Sequence, residues 1–275
     1  MVKVLINGCN GKMGQELANL VKIDNDCVLV GGLDKEQTGE FTFPVYTDYN
    51  KIIEEADVII DFSVPVATMN VLEYAKQKHI PIVIATTGFS SEQEAEILKY
   101  SKEIPIFKSA NMSLDINLMC RIVANLAQIL KGNDIEIIET HHNRKIDSPS
   151  GTAMLLADSI NKALNNSMSY EFNRHDKHEK RSKNEIGISS VRGGNIVGEH
   201  SVIFFSENES FEIKHTAYSR SLFADGALKA AKFMVNGKFS NGLYDMNDIS
   251  WLLYNFCVIK NRMIKLILSN LFVEV

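Results

Sequence analysis

Lys3-Val-Leu-Ile-Asn-Gly8-Cys-Asn-Gly11-Lys-Met-Gly14 is a short, mostly apolar run that ends in three spaced glycines. Gln15 to Lys22 continues it with helical spacing. The glycines permit a tight turn from strand into helix and let the backbone approach a pyrophosphate lying on the helix dipole. Val28 to Leu33 reads as the next strand and ends at Asp34, twenty residues past Gly14. A dinucleotide fold places at that point the acid that accepts hydrogen bonds from the adenine ribose. Glycine turns alone often serve only to pack a helix on a sheet. Strand, helix, second strand and terminal acid in register point to a nicotinamide or flavin nucleotide.

The alternation continues outward. Asp57 to Phe62 reads as a buried parallel strand, with Ser63 expected to cap the next helix and Pro65 in its first turn. Val66 to Lys78 is helical, Pro81 to Ala85 is a strand, and Thr86 to Phe89 is a turn. Ser90 with Gln93 makes a capping-box pattern, and Ile104 to Lys108 is one more strand. Repeated βαβ units imply an α/β, Rossmann-like, doubly wound parallel sheet whose ligand lies at the strands' carboxyl ends. Those ends carry Gly8, Asp34, Phe62, Thr86 and Asn111.

The pattern changes at Ser113, which starts a long apolar helix reaching about Leu130. Asp134 to Thr140 is a strand. Ile186–Val191, Ile196–Ser206 and Phe211–Thr216 alternate like an antiparallel meander, with Gly193-Gly194 and Glu207-Asn208 as turns. Ser221 to Val235 returns to an apolar helix. The expected organisation is a dinucleotide-binding domain at 1–112 and 221–249, a mixed α+β substrate-binding and oligomerisation domain at 113–220, and a C-terminal extension at 250–275. The two crossings, near Asn111–Ser113 and Arg220–Ser221, are expected hinges.

A second chemical signal is Glu139-Thr-His-His-Asn-Arg-Lys-Ile-Asp-Ser-Pro-Ser-Gly-Thr-Ala153. It sets two imidazoles, an amine and a carboxylate within seven residues, directly before a helix start at Pro149-Ser150-Gly151-Thr152. A helix N-terminus offers backbone N–H groups and partial positive charge to an anion. Proton-transfer groups beside an anion seat suit a small acidic substrate. The net charge of −5 offers no general attraction for nucleic acid or an anionic membrane, so any anionic ligand needs such a local site. Cysteines 9, 27, 120 and 257 are far apart and read as reduced thiols of a cytoplasmic protein, with no signal peptide before the first strand.

With both motifs read, the chain resembles the 4-hydroxy-tetrahydrodipicolinate reductase (dihydrodipicolinate reductase) family of the bacterial lysine and diaminopimelate pathway. The resemblance runs from Val4 to Asp248 and includes Glu-x-His-His-x-x-Lys-x-Asp-x-Pro-Ser-Gly-Thr-Ala whole at 139–153. Gly8-x-x-Gly-Lys-Met-Gly14, Asp61-Phe-Ser, Thr86-Thr-Gly-Phe, Ala110-Asn-Met-Ser113, Val191-Arg-Gly-Gly-Asn-Ile-Val-Gly-Glu-His200 and Gly242-Leu-Tyr-Asp-Met246 support it. It implies hydride delivery from NADH or NADPH to a cyclic unsaturated dicarboxylate, and a homotetramer assembled through the second domain. It also implies that Gly8, Cys9, Asn10, Gly11, Lys12, Met13, Asp34, Ala85, Thr86, Thr87, Ser109, Ala110, Asn111 and Met112 line the cofactor. His142, Lys145, Ser150, Gly151 and Thr152 would hold the substrate. His141 stands at the family's acid/base position and Lys145 at its proton donor; the residues themselves leave open which of the two gives the proton.

Competing readings stand beside these. The adjacent histidines could ligate a metal, but neighbouring residues point opposite ways and no spaced third ligand follows, so none is expected. His175 and His178 fit a solvated loop, His200 and His215 hydrogen-bonded sheet positions, Asp147 a group that orients Lys145 or caps the helix, and Arg220 an ion pair at the hinge ahead of a contact with the substrate. Asp34 favours the free ribose hydroxyls of NADH, whereas Lys35 and Lys12 could neutralise a 2′-phosphate, so both cofactors are expected to work, NADH slightly better. Rival functions are another amino-acid-pathway dehydrogenase and a nucleotide sensor without catalysis. The tail, too short in its apolar runs to span a bilayer, reads first as an amphipathic helix packed on the first domain or a neighbouring subunit and second as a weak membrane-surface attachment.

Overall fold

The computed structural model describes residues 1–37, 41–175, 177–237 and 239–249. The helix expected at 250–275 lies outside the described residues. The chain forms two compact units, Met1–Met112 with the chain from Phe223 on, and Ser113–Leu222.

The first unit opens with β1 (Val2–Asn7), α1 (Lys12–Ile23), β2 (Cys27–Leu33) and the short β3 (Val45–Tyr46). Then come β4 (Val58–Asp61), α2 (Pro65–Lys78), β5 (Ile82–Ile84), α3 (Ser91–Tyr100) and β6 (Pro105–Lys108). The second unit contains α4 (Leu114–Ile129), β7 (Asp134–His141), α5 (Gly151–Ala163), β8 (Ser169–Glu171), β9 (Glu185–Arg192), β10 (Gly198–Phe205) and β11 (Ser210–Ala217). The chain returns through α6 (Ser221–Asn236) and ends its described elements with β12 (Gly242–Tyr244).

In the first unit every strand pairing is parallel, in the order β12-β6-β5-β4-β1-β2-β3. Val4, Leu5 and Ile6 of β1, Val58, Ile59 and Ile60 of β4, and all of β5 are fully buried. Such unbroken apolar strands are what a parallel sheet covered on both faces requires. The strand order reverses between β1 and β4, which opens a crevice at their carboxyl ends. The capping box forms as expected: Gln93 N–H donates to Ser90 Oγ (3.3 Å) and Ser90 N–H to Gln93 Oε1 (2.9 Å). Ser63 does not cap α2. Val64 is the N-cap residue, and the Ser63 hydroxyl instead donates to Asp61 Oδ1 (2.5 Å), because a buried carboxylate two residues back is the stronger acceptor.

The second unit corrects the expected meander. Its sheet order is β11-β10-β7-β9-β8, so β7 lies between β9 and β10, parallel to the first and antiparallel to the second. The glycine pair at 193–194 is therefore a connection over the end of β7, pinned by Gly193 N–H to His141 O (2.9 Å) and His142 N–H to Ile196 O (2.8 Å). Among the described residues of this unit, β10 and β11 alone form a hairpin. Alternation identifies strands but not their neighbours. Placing β7 centrally satisfies both of its backbone edges while α4 and α5 cover one face. Ile135, Ile137, Ile186, Ile188, Val202 and Phe204 of that face pack with Val123, Leu156 and Ile160 of the helices.

Candidate active site

In the first unit, the turn after β1 carries the site. Gly8 has φ +84°, and a Cβ there would sit 2.6 Å from the Phe62 carbonyl oxygen. Gly14 is tighter still, since its Cβ would stand 2.2 Å from Gly8 O. Only glycine lets α1 start this close to the strand ends. Asp34 closes the turn from the other side, its two carboxylate oxygens accepting from Asn10 N–H and Lys35 N–H, both at 2.8 Å. Below lies a fully buried Asp61. Burial pushes its carboxyl up, while Asn7, Ser63 and Thr68 all donate to it. The backbone N–H of Ser63 in turn donates to Thr86 Oγ1 (2.9 Å), so one network ties together the ends of β1, β4 and β5.

A cavity of about 410 Å³ opens above this floor, lined among others by Gly8, Gly11, Asp34, Lys35, Tyr49 and Asn70. The volume and the glycine backbone fit the adenosine half of a dinucleotide. Cys9 is buried behind the turn and its thiol is pushed up by burial to about 12, so it packs and does not react. Lys12 and Met13 begin α1. Ala85–Thr87 and Ser109–Met112 follow β5 and β6 and do not line this cavity. Thr47, Tyr49, Val64, Ala67 and Asn70 line it without any local signal in the sequence.

In the second unit, one face of the central sheet changes from apolar to polar along β7. Ile135 and Ile137 belong to the core, and Glu139 and His141 continue the same face. Glu139 pairs across to Ser190 on β9 and His200 on β10, and His141 pairs to Arg192. Glu139 is fully buried. Arg192 grips it bidentately, with both distances 2.7 Å, and Ser150 N–H (3.0 Å) and His141 Nδ1 (2.6 Å) also bond it. Burial alone would raise this carboxyl, but hydrogen bonds from Arg192, Ser190, His141 and Ser150 outweigh it and bring it down to about 2. The His141 ring lies over Gly198, where a Cβ would come within 3.0 Å of Nε2.

From His141 the chain turns through Lys145 N–H to His142 O (3.1 Å) into α5. Lys145 Nζ bonds Asp147 Oδ1 (2.8 Å), and this bond holds the Asp147 carboxyl below its ordinary range. Asp147 thus orients Lys145. Ser150 is the N-cap of α5, its Oγ accepting from Ala153 N–H (3.1 Å) and bonding His200 Nε2 (2.8 Å). A Cβ at Gly151 would meet nothing within 4 Å, so the positive end of α5 is open. Among the described residues Arg220 pairs with no carboxylate; its Nη2 donates to His142 Nε2 (3.1 Å), bringing a second cation to the group. His142 is pushed down by burial and by Arg144 and Arg220, which keeps it neutral and accepting. Among the described residues no cluster of three or more His, Cys, Asp or Glu could hold a metal ion, and no helix is long and apolar enough to cross a membrane.

Two family models match, "Dihydrodipicolinate reductase, N-terminus" over residues 2–112 and "Dihydrodipicolinate reductase, C-terminus" over 115–249. The chain belongs to the dihydrodipicolinate reductase family. Relatives include the 4-hydroxy-tetrahydrodipicolinate reductases of Caldanaerobacter subterraneus subsp. tengcongensis, 51% identical over 90% of this chain and 98% of the relative, and of Clostridium tetani, 48% identical over 90% and 96%. A dipicolinate-bound dihydrodipicolinate reductase from Paenisporosarcina sp. matches in structure with TM-score 0.75 and 25% identity, covering 89% of this chain and 97% of that one. A myo-inositol 2-dehydrogenase from Lactobacillus plantarum, at 15% identity and TM-score 0.58 over 88% and 90% of the two chains, shares the fold alone. As a dihydrodipicolinate reductase family member, the chain is an NAD(P)H-dependent oxidoreductase. Within that family's frame, the sequence reading missed the Glu139–Arg192 clamp and the Arg220–His142 contact. Arg192 stands inside the Val191–His200 segment and Arg220 beside the second crossing, but nothing local names the partner of either.

Proposed function

We propose that this chain reduces 4-hydroxy-tetrahydrodipicolinate to tetrahydrodipicolinate in lysine and diaminopimelate biosynthesis, using NADH or NADPH. The observation that carries the reading is the assembly of His141, His142, Lys145, Arg220 and the open N-terminus of α5 in one unit. That unit belongs to a chain whose glycine turn and Asp34 pocket fit a dinucleotide.

A nicotinamide nucleotide held at the glycine turn and Asp34 would supply hydride. The chain supplies everything else. The amides of Gly151 and Thr152 and the charges of Lys145 and Arg220 receive the two carboxylates of the ring. The 4-hydroxyl leaves as water together with a ring hydrogen, which gives the conjugated imine; hydride added to that imine leaves electron density on the adjacent atom, which must take a proton. Lys145 stands as the ammonium donor, and His141, through Nε2, relays a proton to it from solvent. In the ligand-free state Asp147 holds Lys145, and an arriving carboxylate competes for it. Asp34, its oxygens fixed by two backbone amides, disfavours a 2′-phosphate that the exposed Lys35 attracts, so both cofactors serve and NADH serves slightly better. The face of the second unit's sheet turned away from α4 and α5 exposes Ile138, Val191 and Phe205, and it supports assembly into a homotetramer. The free, buried thiols of Cys9, Cys27 and Cys120 support a cytoplasmic location.

The test is the loss of reduced-nicotinamide absorbance on adding the fresh condensation product of pyruvate and aspartate semialdehyde. Rapid oxidation abolished by Lys145→Ala is expected. No oxidation by a protein that still binds NADH would refute the reading.

A further inference from the structure

Glu139 stands at a crossing of contacts that its place in a strand does not require. Each of its oxygens meets at least two donors. Oε1 accepts from Arg192 Nη2 (2.7 Å) and Ser150 N–H (3.0 Å), and Oε2 meets Arg192 Nη1 (2.7 Å) and His141 Nδ1 (2.6 Å). Ser150 is the residue from which α5 starts. Arg192 also donates to the carbonyl of Asp147 (2.8 Å), whose carboxylate holds Lys145. One buried ion pair thus touches the imidazole, the anion-binding helix and the lysine loop.

We propose that Glu139, clamped by Arg192, is the positioning residue of this site: it fixes His141 as the Nδ1–H tautomer and holds that ring, the N-terminus of α5 and the Lys145 loop in a single geometry. The inference rests on the reading of His141 and Lys145 as the proton-transfer groups. A carboxylate that is ionised and surrounded by donors has no proton to offer, so at Oε2 the imidazole nitrogen must be the donor. Nε2, lying over Gly198, is left as the nitrogen that exchanges protons. Arg192 makes this arrangement sustainable, because an unpaired carboxylate buried beneath a sheet face would be strongly disfavoured. The pair together is neutral, so Glu139 aims the ring without burying a net charge under an acidic substrate.

The groups around the His141 ring are Glu139 on its own strand, Arg192 on β9 and His200 on β10, whose ring centroid is 5.1 Å away, with His142 next in the chain. His200 is held neutral, since burial, then the neighbouring His141, pushes it down to about 3. It therefore adds no competing cation, and its bond to Ser150 Oγ braces the start of α5 from the other side.

The test uses full-length protein labelled with ¹⁵N-histidine, with His141→Gln to assign the resonance, together with Glu139→Gln. In the wild type the neutral His141 ring is expected as Nδ1–H with an unprotonated Nε2. A glutamine at 139 keeps its oxygen on Arg192 Nη2 and Ser150 N–H and sets its NH₂ against Arg192 Nη1 and His141 Nδ1, so the tautomer flips to Nε2–H. Turnover then falls by about a hundredfold or more, the scale of positioned proton transfer, while the Kd for NADH stays within twofold and the pH profile of kcat shifts. Wild-type His141 found as Nε2–H overturns the proposal, and that spectrum decides even if the variant does not fold. A folded Glu139→Gln within threefold of wild-type turnover, or one that loses NADH affinity in parallel, also overturns it. If His141→Gln and Lys145→Ala both leave turnover intact, it is the functional reading that fails, and the tautomer of His141 still tests the clamp separately.

Discussion

His200 should make this protein lose stability between pH 7 and pH 5, a loss to which the lowered His142 and His215 add in the same direction. It is 4% exposed, its Nε2 bonds Ser150 Oγ (2.8 Å), and burial is the main cause that lowers it from 6.5 to about 3. A base depressed in the folded state stays neutral there while the unfolded chain takes up a proton. Its contribution is therefore whole above the ordinary value near 6.5 and is lost as pH falls toward about 3. At pH 5 the unfolded chain gains about 1.5 pH units' worth of protonation, and at about 1.4 kcal/mol per unit this removes about 2 kcal/mol. Glu139, lowered to about 2, contributes stability that persists above the ordinary carboxyl value and goes only below it, so the two windows separate. The assay is urea unfolding followed by circular dichroism at both pH values, at one fixed protomer concentration. His200→Gln keeps an acceptor for Ser150 but cannot titrate. Its stability should change by about 2 kcal/mol less than that of the wild type between pH 7 and pH 5. Equal pH dependence of the two proteins would refute the buried neutral imidazole.

Gly14→Ala, whose Cβ would stand 2.2 Å from Gly8 O, should weaken NADH binding by at least about tenfold in fluorescence titration, because the start of α1 must shift. Gly193→Ala, which would meet nothing within 4 Å, serves as the control, and equal affinities would sink the argument. The ratio of kcat/KM for NADH to that for NADPH at low ionic strength should favour NADH by less than a hundredfold, and Asp34→Asn should move it toward NADPH; a larger preference either way refutes the shared-cofactor reading. In sedimentation velocity the wild type should run as a tetramer and Val191→Asp as smaller species, and a wild type that is monomeric at micromolar concentration rules out the assembly.

Much of the first unit was legible because its signals are local. The glycines at 8, 11 and 14, the apolar run before them, and Asp34 at the end of the next strand are each set by the conformation of a few adjacent residues. The same holds for the capping box at Ser90 and for Ser150 at the start of α5. Local reasoning misjudged Ser63, because its hydroxyl chose a buried carboxylate over the helix it precedes. It also misread β9 and β10 as neighbours, although period-two alternation is identical whichever strand lies alongside.

By itself, then, the sequence determined the kind of element at each position, the dinucleotide turn, and the presence of His141, His142 and Lys145 before a helix start. Only the tertiary structure decided that β7 runs between β9 and β10. That placement brings Arg192 onto Glu139 across 53 residues and His200 onto Ser150 across 50. It carries Arg220 to His142 across 78. The reason is physical. Backbone propensities and caps act within a turn or two of the chain, whereas a buried charge must find its counter-charge wherever the packed sheet delivers one.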